Sequence, residues 1–327
     1  MRILFVGGTG NISTECVRVL AERDADLTVL NRGLSGAPLP EGVRRIVADI
    51  RDPSSFAGAL QGEEFDVVVE WMAFVPDHIL LDLELFAGVS HYVFISSASA
   101  YEKPSPFFPL VEEAPLGNRW WRYSRDKIAC EELIRASSVP FTIVRPSYTY
   151  GGTWIPTALE GVGYTVVDRL RRGRPIIVPG DGTSVWTLTH ASDFARAFAG
   201  ILGREDTVGE TFHITSDEVL TWNQIGATIA EAAGFEPRVT AVSSELMARV
   251  EPDFGPGLLG DKSHSLAFDN SKIKRFVPGW QAEIPLAEGV ARSLAWFEED
   301  PARQIVDAAL DAKLDRILAA HERSLEI

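Results

Sequence analysis

Short apolar runs alternate with helical segments through the first 150 residues, and this alternation constrains the fold more than any other feature. The runs are rich in β-branched residues and are apolar at consecutive positions, which is typical of strands buried on both faces. The predicted strands are residues 2–6, 27–30, 45–48, 66–70, 91–95 and 141–144, and the predicted crossover helices include residues 13–23, 53–60 and 77–87. The pattern predicts an α/β fold with a doubly wound parallel sheet, whose ligand lies at the carboxyl ends of the strands.

The alternation ends near residue 150, where glycine-rich turns and helices at residues 192–202 and 222–233 follow. We therefore expect a nucleotide-binding domain over residues 1–150, a smaller α/β substrate-binding domain over residues 151–300, and an added C-terminal helix over residues 301–327. That last helix carries an apolar face at helical spacing, made of Val306, Leu310, Leu314, Ile317 and Leu318. This face packs either against its own chain or against a second subunit.

The net charge of the chain limits the classes of partner that it is expected to bind. Lys and Arg number 31 and Asp and Glu 46, which gives a formal net charge of −15. So acidic a surface repels nucleic acid and anionic membranes, although it leaves room for a local site for a small anion. Met1 leads straight into a strand pattern without a signal-peptide pattern, and no apolar run is long enough to span a bilayer. We expect a cytoplasmic protein with a small-molecule substrate, no nucleic-acid partner and no membrane partner.

A glycine loop, Gly7-Gly8-Thr9-Gly10-Asn11-Ile12, follows the first predicted strand directly and precedes a helix. Glycines at positions 7 and 10 let the backbone approach a pyrophosphate, and the helix that follows presents its free N–H groups to it. The loop therefore predicts a dinucleotide site formed by Gly7, Gly10, Asn11 and Ile12. Ser13 stands where the third small glycine of such a loop is usual.

The residues after the second and third strands bear on which dinucleotide binds. Asn31 is neutral at the position where an NAD-selective site usually holds a carboxylate for the ribose, and Arg32 follows it. The planar guanidinium of Arg32 suits a 2′-phosphate, so NAD(P) is expected with NADP slightly favoured over NAD. Asp49 and Ile50 are placed to bind the adenine, the first through its amino group and the second by packing on the ring.

Three further residues predict a proton-transfer site. Ser97 lies at the carboxyl end of the fifth strand, and Tyr123 and Lys127 lie four residues apart in a predicted helix over residues 122–136. Residues four apart lie on one helical face. The charge of Lys127 would favour the phenolate form of Tyr123, which could then exchange a proton with a substrate alcohol or carbonyl. Ser97 would hydrogen-bond the same oxygen and orient it. No metal site is expected, since the histidines do not cluster with carboxylates.

Taken together, these motifs resemble those of the extended short-chain dehydrogenases/reductases, the NAD-dependent epimerase/dehydratase type. The similarity runs from Met1 to about Phe297 and is carried by residues 7–13, 49–52, 66–73, 96–101, 123–127, 145–146, 150–151, 180–182, 190 and 193. It implies a Rossmann domain that binds NAD(P), with Tyr123 as the acid/base, Lys127 also holding the nicotinamide ribose, and Ser97 orienting the substrate oxygen. It also implies a homodimer formed through helices.

Departures from the resembled family narrow the reaction. Ala98-Ser99 follows Ser97 where dehydratases carry an Asp-Glu pair, so dehydration is disfavoured. The residues that grip a diphosphate in members acting on UDP-sugars correspond here to Ser147, Trp186 and residues 257–258, with Lys262 offering only one charge. Aromatic residues replace the lost charge, which predicts an uncharged, sugar-like or hydrophobic substrate bound by Trp71, Trp121, Ser147 and Trp186, with Trp120 and Trp154 nearby.

Three functions stay open on the sequence. The first is an NAD(P)-dependent oxidoreductase/epimerase acting on a secondary alcohol or ketone. The second is a stand-alone dehydrogenase or ketoreductase that releases its product. The third is a non-catalytic NAD(P)-binding regulatory protein, against which the intact Ser97, Tyr123 and Lys127 argue.

Overall fold

The computed structural model describes residues 1–23, 25–159 and 163–326. The strands are β1 (Arg2–Val6), β2 (Asp26–Asn31), β3 (Arg44–Val47), β4 (Val67–Glu70), β5 (His91–Ile95), β6 (Phe141–Val144), β7 (Tyr148–Tyr150), β8 (Ile176–Pro179), β9 (Val185–Trp186), β10 (Leu188–His190), β11 (Thr211–Phe212), β12 (Leu220–Thr221) and β13 (Val239–Val242). The six strands predicted from the sequence are confirmed to within a residue or so at each end.

Helices cover both faces of the central sheet. One face packs against α1 (Ser13–Ala21) and α6 (Ala191–Ile201), and the other against α2 (Pro53–Ala59), α3 (Pro76–Leu85) and α4 (Arg122–Ala136). The remaining α-helices are α5 (Thr165–Arg171), α7 (Trp222–Ala232), α8 (Ser244–Val250), α9 (Gly255–Gly257), α10 (Ser271–Phe276), α11 (Leu286–Glu298) and α12 (Ala308–Leu325). The predicted helix over residues 122–136 is confirmed at both ends.

The central sheet is parallel and seven-stranded, in the order β11-β6-β5-β4-β1-β2-β3. Alternate residues of β1 point to opposite faces: Phe5 packs with α1 and α6, and Leu4 packs with α2, α3 and α4. In register, Val6 lies opposite both Leu30 and Glu70, so β1, β2 and β4 end at one edge of the sheet. The doubly wound, Rossmann-type α/β fold predicted from the alternation is therefore confirmed, and the segments after these strands meet at that edge.

Residues beyond 150 are divided between two places. The helix α6 packs against α1, and β11 pairs with β6 at the edge of the main sheet. The other strands form small two-stranded sheets, β10 with β7, β12 with β9 and β13 with β8, over a second apolar core that includes α7 and α11. The division into three parts at residues 150 and 300 stays a prediction. The helix α6 and the strand β11 belong to the segment 151–300 in sequence, but they pack with the first 150 residues.

The C-terminal helix α12 packs against its own chain, which was one of the two open alternatives. Ile317 and Leu318 are buried with Met247 of α8. Arg169 of α5 donates hydrogen bonds to the carboxylates of Asp311 and Asp315 on α12, the second at 2.9 Å. Of the helices in the described ranges, none combines the length and apolar character that crossing a membrane requires.

Candidate active site

A cavity of about 910 Å³ lies at the carboxyl ends of the central strands. Part of its lining directly follows β1, β2, β3, β4, β5 and β6, as the strand register requires, and other parts come from α4 and from segments after residue 150. The structure brings together in this one cavity all the site residues predicted from the sequence: Gly7, Gly10, Asn11, Ile12, Asn31, Arg32, Asp49, Ile50, Trp71, Ser97, Trp121, Tyr123, Lys127, Ser147 and Trp186.

The glycine loop forms the wall beneath the amino end of α1. Gly7 has a φ of 112°, and a Cβ placed on it would lie 2.9 Å from the Cβ of Trp71, so both the conformation and the space require glycine. The residue before α1 is Ile12, whose side chain cannot cap the helix, so N–H groups of the first turn stay available to an anion. Ser13 accepts a hydrogen bond from the Gly10 N–H at 2.9 Å, which explains why a serine is accommodated where glycine is usual. This donor set fits the pyrophosphate of NAD(P).

Asn11 has a role that the sequence did not reveal. Its Nδ2 donates to the carbonyl of Thr149 at 2.9 Å, and its Oδ1 accepts from the N–H of Gly151 at 2.7 Å. The side chain therefore fixes the loop to the segment after β6. Only the main chain of Asn11 remains for the cofactor that it was predicted to bind.

At the adenosine end, Asn31 and Arg32 line the cavity beside Asp49. Asn31 accepts a hydrogen bond from the Gly33 N–H at 2.8 Å, which shapes the turn after β2. An Nη of Arg32 lies 3.9 Å from a carboxylate oxygen of Asp49, and both side chains are more than a third exposed. An exposed ion pair of this kind contributes little to stability, so Asp49 holds the Arg32 side chain only weakly.

Lys127 is buried at the centre of the site. Its Nζ donates to the carbonyls of Ala73 and Ile95, at 2.8 Å each, and lies 4.9 Å and 4.7 Å from the ring centres of Phe74 and Phe94. Burial lowers the pKa of Lys127 to about 8. A buried cation held by two carbonyls and two rings is fixed in position without a carboxylate partner.

Glu70 is a residue that the sequence analysis missed. It ends β4, is 1% exposed, and its Oε1 accepts from the Ala73 N–H at 2.6 Å. It therefore shapes the turn whose Ala73 carbonyl holds Lys127. Burial raises the pKa of Glu70 and lifts that of neighbouring Asp82 to about 7, while the Tyr92 hydroxyl donates to Asp82 at 2.7 Å. A carboxylate ending an otherwise apolar strand was the available signal.

Tyr123 lies in the first turn of α4, on the face that also carries Lys127. The Lys127 Nζ is 5.9 Å from the centre of the Tyr123 ring. Trp121 and Phe74 enclose the ring, with centre-to-centre distances of 5.1 Å and 6.3 Å. The phenol is thus oriented by aromatic contacts in the cavity wall.

Ser97 belongs to a chain of three serine hydroxyls. Ser124 donates to the Oγ of Ser99 at 2.8 Å, and the Oγ atoms of Ser99 and Ser97 are 2.9 Å apart. The Ser99 N–H also donates to the Ser97 Oγ, at 3.1 Å. A hydroxyl both donates and accepts, so the Ser97–Ser99 bond can run in either direction; when Ser99 donates to Ser97, the Ser97 proton is left for a ligand in the cavity. The supporting serines were not predicted.

The tryptophans do not share one role. Trp121 and Trp154 line the cavity half-buried, and the Ser147 Oγ and Trp154 Nε1 are buried with no hydrogen-bond partner in the described part of the chain. Their residues line the cavity, and a buried polar atom without a partner is unfavourable unless a ligand or water satisfies it. Trp71 also lines the cavity, and its ring packs on Phe5 and other core aromatics beside the glycine loop. Trp120 is outside the lining and 46% exposed.

Trp186, predicted to bind the substrate, lines the cavity from a buried position. It is 1% exposed, its Nε1 donates to the His264 carbonyl at 2.8 Å, and its ring centre lies 5.2 Å from that of Trp222. The Lys262 Nζ lies 4.3 Å from the centre of the same ring. A cation therefore already covers the indole, so Trp186 acts through Lys262 as a wall of the cavity.

The sequence and the fold are similar to those of a family of known proteins. The sequence pattern of the NAD dependent epimerase/dehydratase family matches residues 3–215, and the chain belongs to that family. It is therefore an enzyme of the NAD(P)-dependent epimerase/dehydratase type, as the motifs predicted.

Individual relatives differ in their named activities. The chain is 28% identical to the Arabidopsis thaliana chloroplast stem-loop binding protein of 41 kDa b, over 89% of this chain and 78% of that one. It is 29% identical to the 2′-dehydrokanamycin reductase of Streptomyces kanamyceticus, over 86% of this chain and 80% of that one. In fold it is similar to the Bifidobacterium longum UDP-glucose 4-epimerase solved with NAD+ and UDP, with a TM-score of 0.72 and 19% identity over 93% of this chain and all of that one.

Proposed function

We propose that this enzyme reduces a ketone, or oxidises the matching secondary alcohol, on a sugar-like substrate that carries no nucleotide diphosphate. The observation that carries the proposal is the cavity itself, in which Ser97, Tyr123 and Lys127 line one wall beside the glycine loop. The arginines among the lining residues are Arg32 and Arg51, both at the adenosine end. The substrate end therefore offers no guanidinium fork to a diphosphate.

The protein residues divide the work of proton transfer. When bound, the nicotinamide supplies or accepts the hydride at its C4. Tyr123 gives its proton to the carbonyl oxygen during reduction and takes it from the hydroxyl in the reverse direction. Ser97 donates the proton left free by its serine neighbours to the same oxygen and holds it in line. The Lys127 Nζ donates hydrogen bonds to the carbonyls of Ala73 and Ile95. In this position its charge would lie beside the Tyr123 phenol and the nicotinamide ribose of a bound cofactor.

The preference for NADP is part of the proposal. Its support is the neutral Asn31 and the half-exposed Arg32 at the end of β2, with Asp49 as an exchangeable partner. The homodimer and the cytoplasmic location expected from the sequence belong to the proposal as well. Dissociation constants for NADPH and NADH test the preference, and tighter binding of NADH overturns it.

The experiment that tests the reaction compares two modes of cofactor use. The protein is incubated with NADPH and a set of carbonyl compounds that includes 2′-dehydrokanamycin, the compound in the name of one relative, and separately with UDP-glucose and no added cofactor. We expect stoichiometric oxidation of NADPH by a ketone and no reaction of UDP-glucose. Conversion of UDP-glucose without added cofactor would identify an epimerase instead. Cofactor binding without turnover of any compound would favour a regulatory binding protein.

A further inference from the structure

A buried ionic cluster at the substrate end has no assigned role. Lys103, Asp261 and Lys262 form it: the Lys103 Nζ lies 2.5 Å from one carboxylate oxygen of Asp261, and the Lys262 Nζ lies 3.2 Å from the other. The three side chains are 3%, 7% and 10% exposed. The Lys262 Nζ also lies 4.2 Å from the ring centre of Tyr148 and 4.3 Å from that of Trp186. The ammonium is held in a fixed place by one carboxylate and two rings.

With both lysines protonated the cluster carries one positive charge in excess, and burial together with the neighbouring Lys262 lowers the pKa of Lys103. Lys103 and Lys262 both form an ion pair with Asp261, and among the described residues no second carboxylate pairs with either lysine. The two lysines hold the pKa of Asp261 below its usual value, so the carboxyl is ionised. An unbalanced charge in a poorly hydrated site is unfavourable until an opposite charge binds. The rings of Tyr148 and Trp186 offset this only in part, since a cation–π contact is weaker than an ion pair.

The excess charge lies where a substrate would bind. Asp261 and Lys262 both line the cavity, together with Tyr148 and Trp186. Lys103 reaches the Ala98 carbonyl at 3.4 Å, directly after Ser97 in the chain. The cluster is therefore next to the reacting end of the cavity, apart from the glycine loop that serves the phosphates of the cofactor.

We propose that Lys262 binds a carboxylate of the substrate, which makes the substrate class a sugar acid or a related hydroxy or keto acid. The inference rests on the proposed oxidoreductase function for the place of the reacting carbon. One excess charge matches one carboxylate, whereas a diphosphate needs more donors than a single ammonium provides. The uncharged substrate expected from the sequence is thereby replaced by one that bears a single negative charge, with Trp121 and Trp154 left to contact its apolar faces.

The first test uses small anions as probes on the protein loaded with NADP+. Acetate, chloride and inorganic phosphate are added at equal ionic strength, and the thermal midpoint is recorded for the wild type, Lys262→Met and Lys274→Met. Lys274 is a matched control because it is an exposed lysine paired with one aspartate, Asp217, at 2.7 Å. We expect acetate to raise the midpoint of the wild type and of Lys274→Met by about 2 °C over chloride, and not that of Lys262→Met.

Equal midpoints in acetate and chloride for the wild type would overturn the proposal, and a larger effect of phosphate would assign the site to phosphate esters instead. If Lys262→Met does not fold, Lys262→Gln takes its place, and Lys262→Arg should keep the acetate effect because it keeps the charge.

The second test compares ligands that differ in one carboxylate. Calorimetric titration of the NADP+ complex with D-glucuronate, D-galacturonate and D-gluconate, and with glucose and galactose as neutral partners, should show that at least one acid binds about tenfold more tightly than its partner. The Lys262→Met variant should lose that difference and Lys274→Met should keep it. Equal affinity for acids and neutral sugars, or no binding of any acid, would overturn the proposal. Because the readout is binding, its failure is distinct from a failure of redox turnover, which the NADPH oxidation assay reports.

Discussion

The buried ammonium of Lys127 should cost the folded protein stability, and the cost can be measured. Burial lowers its pKa from the usual 10.5 to about 8. At about 1.4 kcal/mol for each pH unit, this difference corresponds to roughly 3 kcal/mol. Between pH 8 and 10.5 the unfolded chain holds a proton that the folded chain has released, so the stability contributed by this group rises with pH across that window. Below pH 8 the folded protein carries the full cost of the buried charge.

The Lys127→Met variant removes that charge and isolates its effect. We expect the unfolding free energy of the wild type minus that of the variant to increase by about 3 kcal/mol from pH 7 to pH 10.5, since other titrating groups cancel in the difference. Urea unfolding followed by circular dichroism at several pH values measures it. NADPH should bind the variant at least about tenfold more weakly at pH 7, because the cation beside the ribose is gone. If the difference in unfolding free energy between wild type and variant stays constant with pH, or falls, Lys127 is not a buried ammonium that destabilises the folded protein.

Three other substitutions test other parts of the site. Arg32→Ala should weaken NADPH about tenfold by loss of a charged hydrogen bond and leave NADH within about twofold, both measured by fluorescence titration; equal losses for the two would remove Arg32 from phosphate binding. Gly7→Ala should lower the unfolding free energy by on the order of 1–2 kcal/mol, seen as a thermal midpoint several degrees lower, and should weaken the binding of both cofactors. The reason is that Gly7 has a φ of 112° and Trp71 leaves no room for a Cβ. A variant as stable as the wild type would contradict this. Ser99→Ala should lower kcat about tenfold with cofactor affinity unchanged, since the Ser97 hydroxyl loses its donor; an unchanged kcat would show that the serine chain is not needed.

Much of the fold followed from local pattern. The buried strand β5 and the helix α4 were predicted with their observed ends, because consecutive apolar residues and helical spacing are read over a few neighbouring positions. The register of parallel strands then brings the residues after each strand to one edge, so Gly7 and Ser97 were placed in one site without knowledge of their distances. The placement of these two residues depends on sequence order and strand direction alone. Tyr123 was added to that site through its spacing with Lys127 and the resemblance of the combined motifs to a known family.

Long-range contacts could not be obtained in the same way. Ser99 acts through the hydroxyl of Ser124, a contact that only the fold brings about, so no sequence spacing marks it. Glu70 is different, because its contact with the Ala73 N–H is local and its signal was a carboxylate at the end of an apolar strand. Lys103 and Lys262 are far apart in the chain and meet only at Asp261. For the same reason the sequence did not indicate that Lys262 would cover the ring of Trp186.

Proton transfer between Tyr123 and the substrate oxygen is the central claim, and a conservative substitution tests it most directly. Tyr123→Phe removes the phenolic hydroxyl that carries the transferred proton and leaves the ring contacts with Trp121 and Phe74 in place. With the carbonyl compound that the wild type reduces fastest, measured by NADPH oxidation, we expect the rate to fall by at least about 100-fold while the NADPH dissociation constant changes by less than about twofold. Turnover by Tyr123→Phe within tenfold of the wild type would contradict the account.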